Sequence, residues 1–244
     1  TPIKGLAVTP FYFDQVNRVF GDEIDVDAQG ISASYKFADW LTLTGFVYNI
    51  ESDDLARWGN DTVGVRATGS YPVTEDVTLK YAFSYATQEN AGDNPDDYEA
   101  DYYAGDVSAA FKGLTVGGGF EILESGFRTP LATVHKFNGF ADVYLPVTGF
   151  TNGLEDLYVY AGYAIPLWNE KKIPVKVIYH TFDTESGGAS GQDGGDEIDF
   201  VASYKWNKYF TTIMKYGDYS EDGGIGGAGA VDKTMFTFEM NFVY

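Results

Sequence analysis

Strict alternation of apolar and polar residues recurs along most of this chain, and it limits the fold more than any other sequence feature. In residues 77–85, for example, Val77, Leu79 and Phe83 fall on one side, while Lys80 and Ser84 fall on the other. A period of two is typical of a β-strand with one apolar face, and helical periodicity is scarce here. We therefore predict an all-β fold.

Twelve segments carry this pattern, and their connections alternate in length. Short turns at one end and long loops at the other are typical of an antiparallel up-and-down barrel. We predict a single domain over 1–244 and assign 137–146 to a loop, because a strand there would break the alternation. The predicted strands are 5–13, 29–37, 40–49, 62–71, 76–87, 100–112, 114–123, 157–165, 173–182, 198–206, 208–217 and 233–244.

Composition excludes several classes of protein. The chain has 244 residues, no cysteine and a net charge of −20, so a disulfide scaffold, a thiolate metal site and a nucleic-acid partner are not expected. Aromatic residues make up 17% of the chain, which argues against disorder. The chain begins at Thr1, which predicts a processed chain or a fragment.

The width of a twelve-stranded barrel decides how its faces are used. About eight strands already enclose an interior that side chains can fill, so twelve leave room for water. Polar faces would then line a lumen and apolar faces would meet lipid, as in a transmembrane β-barrel. An aromatic girdle near the short turns fits this interpretation: Trp40, Tyr71, Phe111, Trp168, Trp206 and Tyr209. The alternative is a soluble β-sandwich with its apolar face inward, such as a carbohydrate-binding protein.

The last predicted strand ends the chain on alternating large apolar residues, among them Phe238, Phe242 and Tyr244. It resembles the C-terminal strand by which bacterial outer-membrane proteins are recognised. This resemblance implies the barrel assembly machinery as a partner.

Most of the 36 acidic residues fall in the six long loops, 14–28, 50–61, 88–99, 124–156, 183–197 and 218–232. Two interpretations stay open for the densest clusters, 93–97 and 193–197: solvated loops, or oxygen ligands for divalent cations. No other cofactor or metal is expected.

The polar strand faces carry the candidate pore-lining residues, with six basic side chains against four acidic ones. This balance predicts a channel that mildly favours anions. The alternative is that these charges neutralise one another and have no role in transport. The residues are Lys36, Arg66, Lys80, Asp106, Glu121, Lys176, His180, Asp199, Lys205, Lys215 and Glu239.

Catalysis has little support in the sequence. The chain has two histidines, and the one set that resembles a triad is His180 with Ser203 and Asp199. No local motif holds a nucleophile beside a base, so we predict that the protein is not an enzyme.

Several stretches resemble the alginate-export family of Gram-negative outer-membrane porins: 14–21, 93–103, 126–142, 152–159 and 177–183. The resemblance implies a β-barrel in the outer membrane, in contact with its lipid and lipopolysaccharide. Such a barrel would pass small solutes or anionic polysaccharide by diffusion. Family chains are longer, which implies that these strands are part of a barrel of roughly 16–18 strands.

The loop 124–156 is the most recognisable segment of this resemblance and is unusually rich in Phe, Val and Leu. We predict that it folds into the lumen as a constriction carrying Arg128, His135 and Lys136; a packed lid without a role in selectivity is the alternative. The sequence thus predicts a passive porin-like channel, with a scaffold barrel of the cell envelope as the second hypothesis.

Overall fold

Twelve antiparallel strands form a single meandering sheet in which each strand pairs with its neighbours in the sequence. The structure is a computed structural model that describes residues 3–18, 21–145, 149–167, 171–185, 193–221 and 231–243. A short 3-10 helix, Ala56–Trp58, is the one helical element in these ranges. The all-β, up-and-down prediction is confirmed.

The strands run from ten to sixteen residues. They are β1 Leu6–Asn17, β2 Glu23–Ala38, β3 Leu41–Glu51, β4 Asn60–Pro72, β5 Val77–Asn90, β6 Glu99–Phe111, β7 Leu114–Leu123, β8 Leu154–Pro166, β9 Lys172–Asp183, β10 Asp193–Lys205, β11 Phe210–Ser220 and β12 Lys233–Phe242.

All twelve predicted segments are strands, but several begin earlier at the long-loop end. β2 begins at Glu23 instead of 29, and β10 begins at Asp193 instead of 198. In this part of β2 the side chains of Ile24 and Val26 are buried, while Asp25 between them is exposed. The alternation therefore continues with its polarity reversed, and the acid-rich composition made it look like a loop.

The two faces of the sheet differ as the sequence predicts. Phe83, Phe200 and Phe238 are 46%, 37% and 52% exposed on one face, which we call the outer face. Lys80 and Lys205 lie on the opposite, inner face, because the side-chain direction alternates along a strand. The outer face is thus a broad apolar surface without a protein partner in the described part of the chain.

Five of the predicted girdle aromatics are exposed near the short turns: Trp40, Tyr71, Phe111, Trp206 and Tyr209. Trp168, the sixth, lies outside the described residues, as does the terminal Tyr244. Aromatic rings at the edge of an apolar band are typical of a membrane interface.

Acidic side chains face one another on the outer face at the long-loop end. Asp27 pairs directly with Glu51, and Glu89 lies between Asp61 and Glu99. Like charges in directly opposite positions destabilise a sheet. This acidic rim places the water-exposed edge of the outer face at the long-loop end.

The sheet has two edges within the described residues, since β1 pairs only with β2, and β12 pairs only with β11. In the same ranges no helix is long and apolar enough to cross a membrane.

A charge placed on the outer face tests its contact with lipid. We expect Phe83→Lys to lower the free energy of unfolding by about 2–4 kcal/mol, the usual cost of a lysine at mid-depth on a lipid-facing strand. Guanidinium unfolding of protein folded in lipid vesicles measures this. The control Ala82→Lys places the same charge on the inner face opposite Asp106 and should change stability by less than about 0.5 kcal/mol. Equal effects at the two positions would contradict the assignment of the faces.

Neutralising the rim tests its internal repulsion. Since Glu89 opposes two acids, Glu89→Gln should raise the unfolding free energy by about 0.5–1 kcal/mol at low salt and by much less in 1 M salt. Glu75→Gln, in an exposed short turn, is the control, and the account predicts no change for it.

Candidate functional site

The inner face carries all eleven predicted pore-lining residues on one continuous side of the sheet. Register shows this directly, because residues that pair across strands share a face: Lys80 pairs with Ser108, and His180 pairs with both Tyr158 and Glu197. Lining a pore is a functional role, and for these residues it stays a prediction.

Three basic side chains of the inner face have local partners. Lys36 Nζ lies 2.6 Å from Asp39 Oδ1, and Lys215 Nζ lies 2.9 Å from Glu239 Oε1. The ammonium group of Lys176 lies 3.7 Å from the centre of the Tyr160 ring. Arg66, Lys80 and Lys205 are exposed, and Arg66 donates a hydrogen bond to Ser84 Oγ over 2.9 Å.

Two inner-face acids accept hydrogen bonds from tyrosines. Asp106 Oδ1 accepts from the Tyr160 hydroxyl over 3.1 Å, and Glu121 Oε1 accepts from the Tyr102 hydroxyl over 2.6 Å. These phenols partly satisfy the carboxylates, so less of the negative charge is open to solution.

His180 lies between two buried aspartates. Its Nδ1 is 2.8 Å from Asp156 Oδ1, and its Nε2 is 3.5 Å from Asp199 Oδ2. Ser203 is four residues beyond Asp199 on the same strand, roughly 13 Å away at the rise of a β-strand. Both histidine nitrogens are therefore occupied by carboxylates, and the triad considered above does not form.

The loop between β7 and β8 packs on the inner face. β8 begins at Leu154, so the loop comprises residues 124–153, shorter than predicted, of which 146–148 lie outside the described residues. We call it the inner loop. Two separate anchors hold it.

The first anchor joins the inner loop to β5. Gln88 Nε2 donates to the Arg128 carbonyl over 2.9 Å, and the Arg128 amide donates back to Gln88 Oε1 over 2.8 Å. The Arg128 side chain is buried, lies over the Tyr98 ring at 4.4 Å and pairs with Asp96 at 2.6 Å. Asp96 thus balances the positive charge of Arg128.

Burial also fixes the proton of Tyr98. It raises the pKa of Tyr98 to about 12, so this hydroxyl stays protonated and donates to Gln88 Oε1 over 2.8 Å. Gln88 is therefore held in one orientation for the inner loop.

The second anchor joins the inner loop to β10 through backbone amides. The Phe140 amide donates to Asp199 Oδ2 over 3.1 Å, and the Ala141 amide donates to Glu197 Oε1 over 2.7 Å. Lys215 Nζ adds a bond of 2.9 Å to the carbonyl of His135. These three hydrogen bonds fix residues 135–141 of the inner loop against β10 and β11.

The middle of the inner loop lies between the anchors and borders open space. A cavity of about 490 Å³ separates residues 129–133 from the inner face of β1 and β3–β7, and a second of about 310 Å³ lies towards Phe13 and Trp58. Lys136 is exposed, with its ammonium group 4.7 Å from the Phe137 ring centre. His135 is tied back to Asp142 and to the Phe140 carbonyl.

Two inner-face acids, Asp156 and Glu197, were not among the predicted residues, because both fall in segments that the sequence assigns to loops. They are 1% and 0% exposed, and Asp199 is also 0% exposed. The sequence carries no alternation that marks them, because 154–157 is Leu-Glu-Asp-Leu and 196–199 is Asp-Glu-Ile-Asp. Within the described ranges, no group of three or more His, Asp or Glu side chains is arranged to hold a metal ion.

Comparison with solved structures places this architecture among outer-membrane porins. The chain is similar to OpdK from Pseudomonas aeruginosa, with 15% identity, a TM-score of 0.74, and coverage of 99% of this chain and 67% of that one. It is also similar to OccAB2 from Acinetobacter baumannii (15%, 0.70, covering 98% and 64%) and to OprD from Pseudomonas aeruginosa (14%, 0.68, covering 98% and 65%). No protein-family model and no curated protein matches this chain.

The fold is therefore that of an outer-membrane porin barrel, and the chain spans about two thirds of the length of these porins. The resemblance to the alginate-export family is not confirmed by these comparisons.

The second anchor can be tested through a glycine beneath it. A Cβ at Gly217 would lie 2.8 Å from Glu197 Oε1 and 2.9 Å from the Ala141 amide nitrogen, so Gly217→Ala should displace the inner loop. We expect trypsin to cleave after Lys136 at least tenfold faster in this variant. Gly45→Ala is the matched control, because its Cβ would have no atom within 4 Å. Unchanged cleavage in Gly217→Ala would show that this anchor does not hold the loop.

Proposed function

We propose that the protein is a passive channel of the Gram-negative outer membrane, in contact with its lipid and lipopolysaccharide, and that it admits small solutes. The observation that carries this proposal is the cavity of about 490 Å³ between the inner loop and the inner face. It leaves room for a small solute, and Arg66 and Glu121 among its lining residues can hydrogen-bond one. An apolar outer face supports the membrane location.

The channel in this proposal favours anions mildly. The inner-face acids Asp156, Glu197 and Asp199 are buried and hydrogen-bonded, whereas Arg66, Lys80 and Lys205 are exposed. Exposed charges act on passing ions more strongly than buried ones that are already paired. Lys136 adds an exposed cation on the inner loop, which serves as the constriction.

Anionic polysaccharide is the cargo that the alginate-export resemblance implies. The acidic rim at the long-loop end, with Asp27, Glu51, Asp61 and Glu89, repels a polyanion at the mouth. We therefore propose small anions as the favoured charged solutes.

Two conditions belong to this proposal. The edges of β1 and β12 must be paired by further strands, because unpaired backbone groups are not tolerated in hydrocarbon. The second condition is recognition of β12 by the barrel assembly machinery. This strand presents exposed apolar residues for it, including Phe236, Phe238 and Phe242.

A scaffold barrel without transport is the second candidate. It is favoured by an aromatic core between the inner loop and the wall, where the Tyr144 ring packs 4.8 Å from that of Phe182 and 6.0 Å from that of Tyr219. A lumen filled to this extent over its whole width would not conduct.

Planar-bilayer recording separates these candidates. We expect steady conductance, with a reversal potential in a KCl gradient that shows chloride to be more permeant than potassium. In the Arg66→Gln, Lys80→Gln double variant, this preference for chloride should decrease. Lys112→Gln, on an exposed short turn, is the control and should leave selectivity unchanged. Cation preference in the wild type would contradict the anion proposal, and absence of conductance would favour the scaffold.

A further inference from the structure

Four aromatic rings form a continuous row on the inner face of β1 and β3. Ring centres of Phe13 and Phe11 are 5.6 Å apart, those of Phe11 and Tyr48 are 5.4 Å apart, and those of Tyr48 and Phe46 are 4.9 Å apart. We call this row the aromatic track. The rings are only half-buried, so part of each ring remains accessible.

Two glycines lie beneath the aromatic track. A Cβ at Gly30 would lie 2.6 Å from the Tyr48 ring and 2.7 Å from the Phe11 ring, and a Cβ at Gly64 would lie 2.2 Å from the Phe46 ring. Because Gly30 and Gly64 have no side chain, the rings can occupy the space above these two residues. This arrangement offers a solute a row of partly accessible aromatic rings.

The aromatic track borders both cavities. Phe11, Phe46 and Tyr48 line the cavity of about 490 Å³, and Phe13 lines the cavity of about 310 Å³. Residues 130–132 of the inner loop line both, opposite the rings. A solute in the proposed constriction would therefore lie between the inner loop and the track.

Hydroxyl groups accompany the rings on both sides. Phe46 pairs directly with Ser32, and Tyr48 pairs directly with Thr62, whose hydroxyl is already bonded to Asn60 and Gln88. Two residues further along these strands, towards the short turn, the Ser34 and Thr44 hydroxyls are 2.8 Å apart, and Thr44 pairs with Arg66. Apolar ring faces flanked by hydrogen-bonding side chains suit a solute that has apolar faces and a polar edge in each unit.

We propose that the aromatic track binds linear neutral oligosaccharides. A pyranose ring presents C–H groups on its face, which contact a π-face, and hydroxyls on its edge, which hydrogen-bond Ser, Thr and Arg side chains. The spacing of the track rings is comparable to the length of one sugar unit. Neutral chains are favoured because the acidic rim, including Asp27 and Glu51, repels polyanions.

This inference rests on the proposed channel, so its test reads binding and conduction separately. The probe is maltotriose, compared with trigalacturonate, benzoate and a polyethylene glycol of equal hydrodynamic size. Binding is measured by calorimetry on the detergent-solubilised protein, and transient block of the KCl current is measured in planar bilayers. We expect maltotriose to bind and to block at concentrations at which the other three do not.

The variants identify the track as the binding site. Phe46→Leu and Tyr48→Leu keep an apolar side chain but remove a π-face, and each should weaken maltotriose binding about tenfold. Phe83→Leu, on the outer face, is the matched control and should bind as the wild type does. Heat-modifiable gel mobility confirms that all three are folded.

Several outcomes would overturn the inference. Unchanged maltotriose binding in both track variants would show that the rings are not the site. Tighter binding of trigalacturonate or benzoate would contradict the preference for a neutral chain. Equal block of the current by maltotriose and polyethylene glycol would show that size alone is responsible. Binding that needs the track in a protein without conductance would support the sugar site and contradict the channel. Conductance without maltotriose binding would leave the channel standing and remove the site.

Discussion

Backbone hydrogen bonding between neighbouring strands is the constraint on which the whole structure depends. A chain whose outer face is apolar over twelve strands can expose that face to hydrocarbon only if its amides and carbonyls are paired within the sheet. From β2 to β11 each strand has a neighbour on both sides, so the ladder satisfies these groups without help from side chains. Each strand is then free to be apolar outside and polar inside, and that division creates the inner face.

The inner face is used differently along its length. Towards the short turns it is open and carries exposed cations such as Lys80 and Lys205. Towards the long loops it is filled by the inner loop and by packed side chains such as Leu123, Leu154 and Phe182. The narrowest part of the proposed path is therefore built by a loop fixed at Gln88 on β5 and at Asp199 and Glu197 on β10.

The sequence was sufficient to predict the strands and their orientation but not all of their ends. Alternation in 77–85 and 198–206 identifies the lipid-facing side directly, because apolar side chains are stable in hydrocarbon and polar side chains are stable in water. Beyond the apolar band that demand reverses: Asp25 and Asp27 face water outside, while Ile24 and Val26 pack inside. A rule that equates acidic composition with loops fails there.

The candidate site was predicted less completely for a physical reason. The alternation predicts that side chains such as Arg66 and Lys176 lie on the inner face, because every second residue of a strand points to the same side. Contacts of the inner loop do not, because the Phe140 and Ala141 amides meet carboxylates 59 and 56 residues away in the chain. The aromatic track likewise depends on the register that sets Phe11 beside Tyr48 across Gly30.

Thiol labelling in proteoliposomes tests whether the outer face meets lipid and the inner face meets water, since the chain has no native cysteine to interfere. Single cysteines at Lys80 and Phe83, three residues apart on β5, report the inner and outer faces separately. We expect a charged, membrane-impermeant maleimide to label Lys80→Cys and to spare Phe83→Cys until detergent strips the lipid. Labelling of Phe83→Cys in intact bilayers, with Lys80→Cys protected, would contradict this assignment of the two faces.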